Sequence, residues 1–175
     1  CRVANTEDLR LFHLGSDGNL GSFDAVNDQL AAEGATLGFA MNAGMYHPDR
    51  RPVGLYVEDS SAQTRLVTRA GPGNFGLLPN GVFCIGDRFS IVESRRFAKA
   101  NPKCRYATQS GPMLVIDNRL HPRFLPDSDS ENIRNGVGVS ADGRVAMFVM
   151  SNTPVNFHRF ARFFRDALGL PQQAE

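Results

Sequence analysis

The sequence is poor in lysine, tryptophan and long apolar runs, and these gaps exclude several classes of protein. Lysine occurs only at positions 99 and 103, and tryptophan is absent. The 19 Lys and Arg residues nearly balance the 18 Asp and Glu residues, so the formal charge of +1 leaves no basic surplus for wrapping nucleic acid. No apolar stretch approaches the roughly 18 residues that a membrane-spanning helix needs. A length of 175 residues with 42% apolar residues indicates one globular domain.

Cysteine is scarce as well, with residues only at positions 1, 84 and 104. Three cysteines are too few for a disulfide scaffold and allow at most one intrachain pair. Cys84 lies in the apolar run 81–85 and is expected to be a small buried side chain. Because no Cys-x-x-Cys pair or Cys/His spacing typical of zinc occurs, we predict neither a metal nor a cofactor.

Glycine and proline are plentiful instead, with 17 and 10 residues spread along the chain, which indicates turn-rich β structure. The clearest hairpin has its arms at 137–140 and 144–150, and another turn is expected at 16–19. The remaining predicted strands cover 9–14, 36–41, 53–58, 64–69, 81–85, 89–93 and 113–116.

Two amphipathic helices accompany these strands. The first follows the capping residue Ser22 and ends before Gly34, and the second runs over 156–168 and ends at Gly169. The pattern predicts an α+β fold: a mixed, largely antiparallel β-sheet with two main helices in a single domain.

Two short motifs resemble ligand-binding signatures but lack the context that these require. The segment 71–76 reads G-P-G-N-F-G, yet the following L-L-P-N-G cannot form the helix of a dinucleotide site. The segment 127–131 reads D-S-D-S-E, but Asn132 stands where an EF-hand loop needs glycine. We interpret both as loops, and a carboxylate of the second remains a candidate for an active site.

Four polar segments remain that turn chemistry alone explains poorly. They read M-N-A-G-M-Y at 41–46, T-Q-S-G-P-M at 108–113, I-R-N-G-V-G at 133–138 and M-S-N-T-P at 150–154. Because each lies beside a predicted strand, we expect the four to gather at one edge of a sheet, where functional sites usually lie.

The order of these segments resembles the phosphodiester glycosidase family. The resemblance rests on N-A-G-M-Y at 42–46, P-V-G-L at 52–55, Q-S-G-P-M-L-V at 109–115, the hairpin at 134–144 and the phenylalanine-rich helix that ends at 167–170. It covers about residues 8–169. Ala43 replaces a family glycine, a pattern similar to a bacterial branch. The family's next motif, of the L-D-G-G-x-S type, is not reached by residue 175. We therefore expect a single phosphodiester-glycosidase-like domain, 1–175, truncated at its C-terminus.

This resemblance implies a hydrolase that cleaves the glycosidic bond of a sugar-1-phosphodiester, of the N-acetylglucosamine-1-phosphodiester type. A phosphate leaving group is a weak base, so a cation bound to it can replace the general acid of ordinary glycosidases. We expect Arg134 to clamp the phosphate and Asn42 to be the second catalytic residue. The substrate-binding candidates are Gly44, Ser110, Gly111, Asn135, Ser151 and Asn152. The base is expected in the L-D-G-G-x-S motif or, second, at Asp127, Asp129 or Glu131.

Members of the family are usually exported, so the resemblance implies a periplasmic or extracellular setting. The expected partner is a sugar-phosphodiester or glycan substrate, with neither nucleic acid nor a membrane span. Two alternatives stay open. The same loops could form a polysaccharide or cell-wall binding module without chemistry, in which Asn42, Ser110 and Arg134 rim a shallow groove. Arg134 could also serve the fold alone by pairing with Asp127 or Glu131.

Overall fold

The computed structural model describes residues 1–15 and 18–170 in full and the backbone of 172–174. The strands of this part of the chain are β1 Arg2–Ala4, β2 Leu14–Gly15, β3 Gly18–Asn19, β4 Tyr56–Glu58, β5 Ser61–Thr64, β6 Gly81–Ile85, β7 Phe89–Glu93, β8 Tyr106–Ser110, β9 Met113–Ile116, β10 Arg119–Leu120, β11 Asn135–Val139, β12 Val145–Met150 and β13 Gln172–Ala174. The helices are α1 Phe23–Ala32, α2 Ser94–Ala100 and α3 Phe157–Arg162, and α3 continues into a π-helical turn over Phe163–Ala167.

Two antiparallel sheets pack face to face, and each carries a helix on its outer side. The six-stranded sheet has the order β1-β12-β11-β13-β9-β10, and the five-stranded sheet has the order β5-β4-β8-β6-β7. Phe83 of one sheet and Met113 of the other share the core between them. Phe160 and Phe164 pack against the outer side of the larger sheet, and Phe97 of α2 packs against the smaller one. The α+β prediction is confirmed.

The sequence locates the buried apolar strands β6 and β9 well, but it misses β8, which is equally buried and reads Y-A-T-Q-S. On β9, Met113 faces the core between the sheets and Leu114 faces α3, and both are 0% exposed. Such a strand reads as a continuous apolar run. The predicted strands 81–85 and 113–116 therefore coincide with β6 and β9. The predicted strand 89–93 coincides with β7, an edge strand that is buried mainly through Phe89 and Ile91.

Two predicted strands are wrong, because residues 9–13 and 36–41 form no strand. Leu9 and Leu11 nevertheless pack against the core between the sheets. Residues 9–13 are all partly buried, so the alternation in the sequence does not correspond to alternating burial. The His13 carbonyl accepts a hydrogen bond from the Leu20 amide rather than from a neighbouring strand. At 36–41 the Leu37 amide donates instead to Asn27 Oδ1, at 3.1 Å.

Other predicted boundaries shift. β4 begins at Tyr56 rather than residue 53, and β5 ends at Thr64, where a strand over 64–69 is predicted. The predicted turn at 16–19 includes residues 16 and 17, which lie outside the described residues. The hairpin of β11 and β12 is confirmed, with Val137 opposite Phe148.

The first predicted helix is confirmed with its cap, while the sequence patterns miss α2. The Ser22 hydroxyl accepts a hydrogen bond from the Ala25 amide at the start of α1, and Gly34 after its end has a φ of 74°. The short α2 buries one large apolar side chain, Phe97, so no helical periodicity is visible. No helix in the described part of the chain is long and apolar enough to cross a bilayer.

Cys84 and Cys104 form a disulfide that ties β6 to the loop before β8, with their Cα atoms 5.5 Å apart. Cys84 is buried, as expected, but it is not a free thiol. The sequence around Cys84 does not indicate the disulfide, because the partner cysteine lies 20 residues away in the chain.

Candidate functional site

A cleft of about 1050 Å³ opens between the extended segments 9–13 and 35–46 and the two sheets. Apolar side chains such as Phe83 and Phe148 form much of its wall. The polar residues of its lining include Asn42, Ser110 and Asn135. Three of the four polar segments therefore meet at one cleft, as the sequence predicts.

The two asparagines of this cleft are joined directly. Asn135 Nδ2 donates to Asn42 Oδ1 at 3.0 Å and to the Asn42 carbonyl at 3.1 Å. Asn135 is the first residue of β11, and Asn42 lies in the loop that crosses over it. Within the described residues, Asn42 Nδ2 and Asn135 Oδ1 make no hydrogen bond. The pair thus offers one donor and one acceptor to a bound hydroxyl or phosphate oxygen.

The loop that carries Asn42 is fixed through Gly44. The Gly44 amide donates to Thr108 Oγ1 at 3.1 Å, and a Cβ at this position would overlap the Gln109 carbonyl oxygen. Gly44 lines the cleft, but its backbone donor is already used. Close packing on β8 explains why glycine is needed in the N-A-G-M-Y turn.

Ser110 ends β8, and the chain then crosses to β9 in the other sheet through Gly111 and a cis bond to Pro112. Ser110 is 7% exposed and lines the cleft, whereas Gly111 does not line it. A Cβ on Gly111 would overlap Asn80 Oδ1, in a side chain that is 0% exposed. The Gly-Pro corner therefore places Ser110 at the junction of the two sheets.

Replacing Gly111 with alanine is expected to cost about 1–3 kcal/mol of unfolding free energy, because the buried Asn80 side chain cannot move aside without losing its hydrogen bond to the Phe75 carbonyl. Chemical denaturation monitored by circular dichroism measures this loss. Gly38→Ala is the control, since nothing lies within 4 Å of a Cβ built there. Equal stability of the two variants would contradict the packing role of Gly111.

Arg134 lies next to the cleft but is not part of its lining. Its side chain is buried, and the residue is 2% exposed. Nε donates to the Val155 carbonyl at 2.8 Å, Nη2 donates to the Ser130 carbonyl at 3.1 Å, and Cζ lies 3.5 Å from the centroid of the Phe157 ring. These contacts connect the loop before β11 to the loop before α3. The phosphate-clamp role stays a prediction.

Ser151 makes two hydrogen bonds with Arg134, one through its hydroxyl and one through its backbone amide. The Arg134 amide donates to Ser151 Oγ at 2.9 Å, and the Ser151 amide donates to the Arg134 carbonyl at 2.8 Å. Ser151 therefore closes the hairpin that presents Asn135. The predicted site residues divide into those that line the cleft, Asn42, Gly44, Ser110 and Asn135, and those that do not, Gly111, Arg134, Ser151 and Asn152.

The carboxylates proposed as second choices for the base lie elsewhere. Asp127, Asp129 and Glu131 are exposed, and none of them lines the cleft. Glu131 instead pairs with Arg159 at 2.9 Å. The cleft does contain Asp8, but Arg10 engages it, and the hydrogen bond from Arg10 holds the pKa of the Asp8 carboxyl below its usual value.

Sequence reasoning missed Tyr56, which lines the cleft on β4. Its hydroxyl donates to Glu58 Oε2 at 2.8 Å, and burial raises the pKa of both groups. The His13 ring packs edge-on against Tyr56, with the ring centroids 5.4 Å apart. The available signal is the spacing of Tyr56 and Glu58, which puts both side chains on one face of a strand.

Comparison with known proteins identifies the family. The model of the phosphodiester glycosidase family matches residues 35–174. The chain belongs to the phosphodiester glycosidase family. It is also 34% identical over 169 residues to the uncharacterized protein YigE of Escherichia coli K12, an alignment that covers 95% of this chain and 65% of that protein. The chain thus spans about two thirds of the length of this curated relative.

A solved structure is similar at lower identity. The catalytic domain of zebrafish N-acetylglucosamine-1-phosphodiester alpha-N-acetylglucosaminidase, auto-inhibited by its pro-peptide, aligns with a TM-score of 0.48 and 14% identity. The alignment covers 75% of this chain and 48% of that one.

The phosphodiester glycosidase match includes the polar part of the cleft, because Asn42, Ser110 and Asn135 all lie within residues 35–174. Segment 9–13 and all of α1 precede the match, although they contribute Leu11 and Val26 to the cleft wall. The resemblance inferred from the five segments is confirmed at the level of the family.

Proposed function

We propose that this phosphodiester glycosidase hydrolyses a sugar-1-phosphodiester, with N-acetylglucosamine-1-phosphodiesters as the substrate class, in the cleft that Asn42, Ser110 and Asn135 share. The supporting observation is the hydrogen-bonded pair of Asn42 and Asn135, which leaves one donor and one acceptor at the cleft. Water adds to the anomeric carbon, the bond from that carbon to the phosphate oxygen breaks, and the products are the free sugar and a phosphomonoester.

The amides suit the demands of this reaction. The leaving phosphate is a weak base, so stabilisation of its oxygens counts for more than protonation. Asn42 Nδ2 can donate to a phosphate or sugar oxygen, and Asn135 Oδ1 can accept from a sugar hydroxyl. The hydroxyl of Ser110 lines the same cleft and can do either.

Activation of the water requires a base, and the direction of β13 supports one source for it. β13 is antiparallel to β11, with Gln172 opposite Val139 and Ala174 opposite Val137. β13 therefore runs toward the end of β11 at which Asn135 lies. We propose that the base is the aspartate of the family's L-D-G-G-x-S motif, which residues 1–175 do not include.

Arg134 enters the proposal as the residue that positions Asn135. Its guanidinium binds backbone carbonyls on two loops, and its backbone pairs with Ser151. A direct phosphate clamp would need donors of this guanidinium to face the cleft as well. We further propose a periplasmic or extracellular setting, which the Cys84–Cys104 disulfide supports because such bonds persist in oxidising compartments.

The test is hydrolysis of an N-acetylglucosamine-1-phosphodiester by the protein purified at its natural length, with sugar release measured by chromatography. Asn135→Ala should lower kcat/KM by about 100-fold, the scale of losing one preorganised polar contact in the transition state. Asn74→Ala, at an exposed asparagine outside the cleft, is the control and should stay within about twofold. Glycan binding without any sugar release would favour the binding-module alternative.

A further inference from the structure

Arg50 lies at the cleft with a charge that no carboxylate neutralises within the described residues. Three guanidinium side chains line the cleft, those of Arg2, Arg10 and Arg50. Arg10 is engaged by Asp8 at 2.6 Å and by Glu33 at 2.7 Å, so its charge is balanced. Arg50 has no such ion pair in residues 1–15 and 18–170.

The neighbouring Arg51 shows the contrast. Arg51 Nε lies 2.7 Å from Asp49 Oδ2, its side chain is 73% exposed, and it does not line the cleft. The one carboxylate of this loop therefore belongs to Arg51. Arg50 and Arg51 are adjacent in the chain, yet only Arg50 offers an unbalanced positive charge to the cleft.

The backbone at Arg50 is held in a conformation that its residue type rarely adopts. Its φ is 69°, and the other non-glycine residues with positive φ in the described chain are Asp, Asn or Ser. These short polar residues tolerate the left-handed region, whereas arginine adopts it at a steric cost. The Arg50 amide donates to the His47 carbonyl at 2.8 Å, and His13 Nε2 donates to the Arg50 carbonyl at 3.1 Å. Two contacts thus fix an arginine where glycine or asparagine would fit more easily.

Tyr46 restricts the Arg50 side chain and links it to the asparagine pair. Arg50 Cζ lies 5.4 Å from the centroid of the Tyr46 ring, within the range of a cation–π contact. Tyr46 is 48% exposed and lines the cleft. It ends the N-A-G-M-Y segment that begins with Asn42, so the cation and the asparagine pair lie on one continuous loop.

We infer that Arg50, held against the Tyr46 ring, binds the phosphate of the phosphodiester, with its guanidinium fork directed to two phosphate oxygens. This inference rests on the proposed function for the substrate class. It assigns to Arg50 the phosphate contact that the sequence motifs suggest for Arg134. Arg2, on the outermost strand of the six-stranded sheet, lies outside the loop that carries Asn42 and serves as the competing residue.

The first experiment is a calorimetric titration of the natural-length protein with dimethyl phosphate, a phosphodiester that contains no sugar. Arg50→Gln should weaken binding by about 10- to 100-fold, the loss expected for two charge-assisted hydrogen bonds. Arg51→Gln removes the same formal charge from the adjacent position and should change Kd by less than about twofold. Arg50→Lys should restore part of the affinity, because lysine keeps the charge but not the fork.

The second experiment separates this inference from the proposed function. Hydrolysis is compared on the N-acetylglucosamine-1-phosphodiester and on a neutral aryl N-acetylglucosaminide. Arg50→Gln should raise KM for the phosphodiester and leave any turnover of the neutral substrate unchanged. If wild type binds dimethyl phosphate through Arg50 but hydrolyses no phosphodiester, the phosphate site stands and the proposed function fails. If Arg2→Gln or Arg51→Gln weakens dimethyl phosphate binding as much as Arg50→Gln, or if none of them does, the Arg50 site is wrong.

Discussion

Arg134→Ala should lower the free energy of unfolding by about 3–5 kcal/mol, because it removes a buried guanidinium that makes two charged hydrogen bonds to backbone carbonyls. The Val155 and Ser130 carbonyls accept hydrogen bonds from it, and the Phe157 ring loses its cation–π contact while it stays stacked on Phe124. Urea denaturation followed by circular dichroism measures the change. Where the variant still folds at low temperature, kcat/KM on the phosphodiester should fall about 100-fold, since Asn135 is the next residue in the chain.

Two further variants separate a positioning role of Arg134 from a phosphate clamp. Ser151→Ala removes the hydroxyl that accepts from the Arg134 amide but leaves the guanidinium in place. If Arg134 acts by positioning, Ser151→Ala should lower kcat in the same direction, and neither change should depend on whether the substrate carries a phosphate. A loss confined to phosphodiester substrates, with wild-type stability, would instead establish the clamp. The Arg159→Ala control removes an exposed cation that pairs with Glu131 and should leave activity unchanged.

The sequence predicts those parts of the fold in which one local signal decides the structure. β9 appears as an unbroken apolar run, and α1 is marked by its cap at Ser22. β8 is equally buried but ends in Thr108, Gln109 and Ser110, so it gives no such signal. Segment 9–13 has the alternation of a strand but none of its pairing, because pairing depends on a neighbour that lies far away in sequence. The Cys84–Cys104 disulfide escapes detection for the same reason, since only the fold brings its two ends together.

The sequence predicts which segments form the candidate site, but it does not predict what each residue does there. Asn42, Ser110 and Asn135 belong to segments that resemble motifs of one family. In the structure all three line the same cleft. The phosphate-clamp role is expected for Arg134 because of its charge beside a polar turn. The sequence does not reveal that its guanidinium donates hydrogen bonds to backbone carbonyls. Conversely, nothing in the residues 46–51 distinguishes Arg50 from Arg51 until Asp49 is seen to pair with only one of them.

Gln109 belongs to the Q-S-G-P-M-L-V motif but is buried outside the cleft lining. It precedes Ser110 on β8, points to the opposite side of the sheet and is 1% exposed. Its Oε1 accepts from the amides of Leu55 and Val67, each at 3.0 Å. Its Nε2 donates to the Val67 carbonyl at 2.6 Å and to Ser94 Oγ at 2.8 Å. One side chain therefore joins the segments before β4 and after β5 to the start of α2.

Gln109→Leu should cost about 4 kcal/mol or more of unfolding free energy, because it leaves buried backbone donors and an acceptor without partners while keeping the side chain volume. Gln63→Leu, at an exposed glutamine on the edge strand β5, makes the same chemical change and should stay within about 0.5 kcal/mol. Urea denaturation of both variants provides the comparison. Since β8 also positions Ser110, Gln109→Leu should lose hydrolytic activity at the urea concentration where the strand unfolds, and well before wild type does. Equal denaturation midpoints for Gln109→Leu and wild type would show that this buried amide does not hold β8 in place.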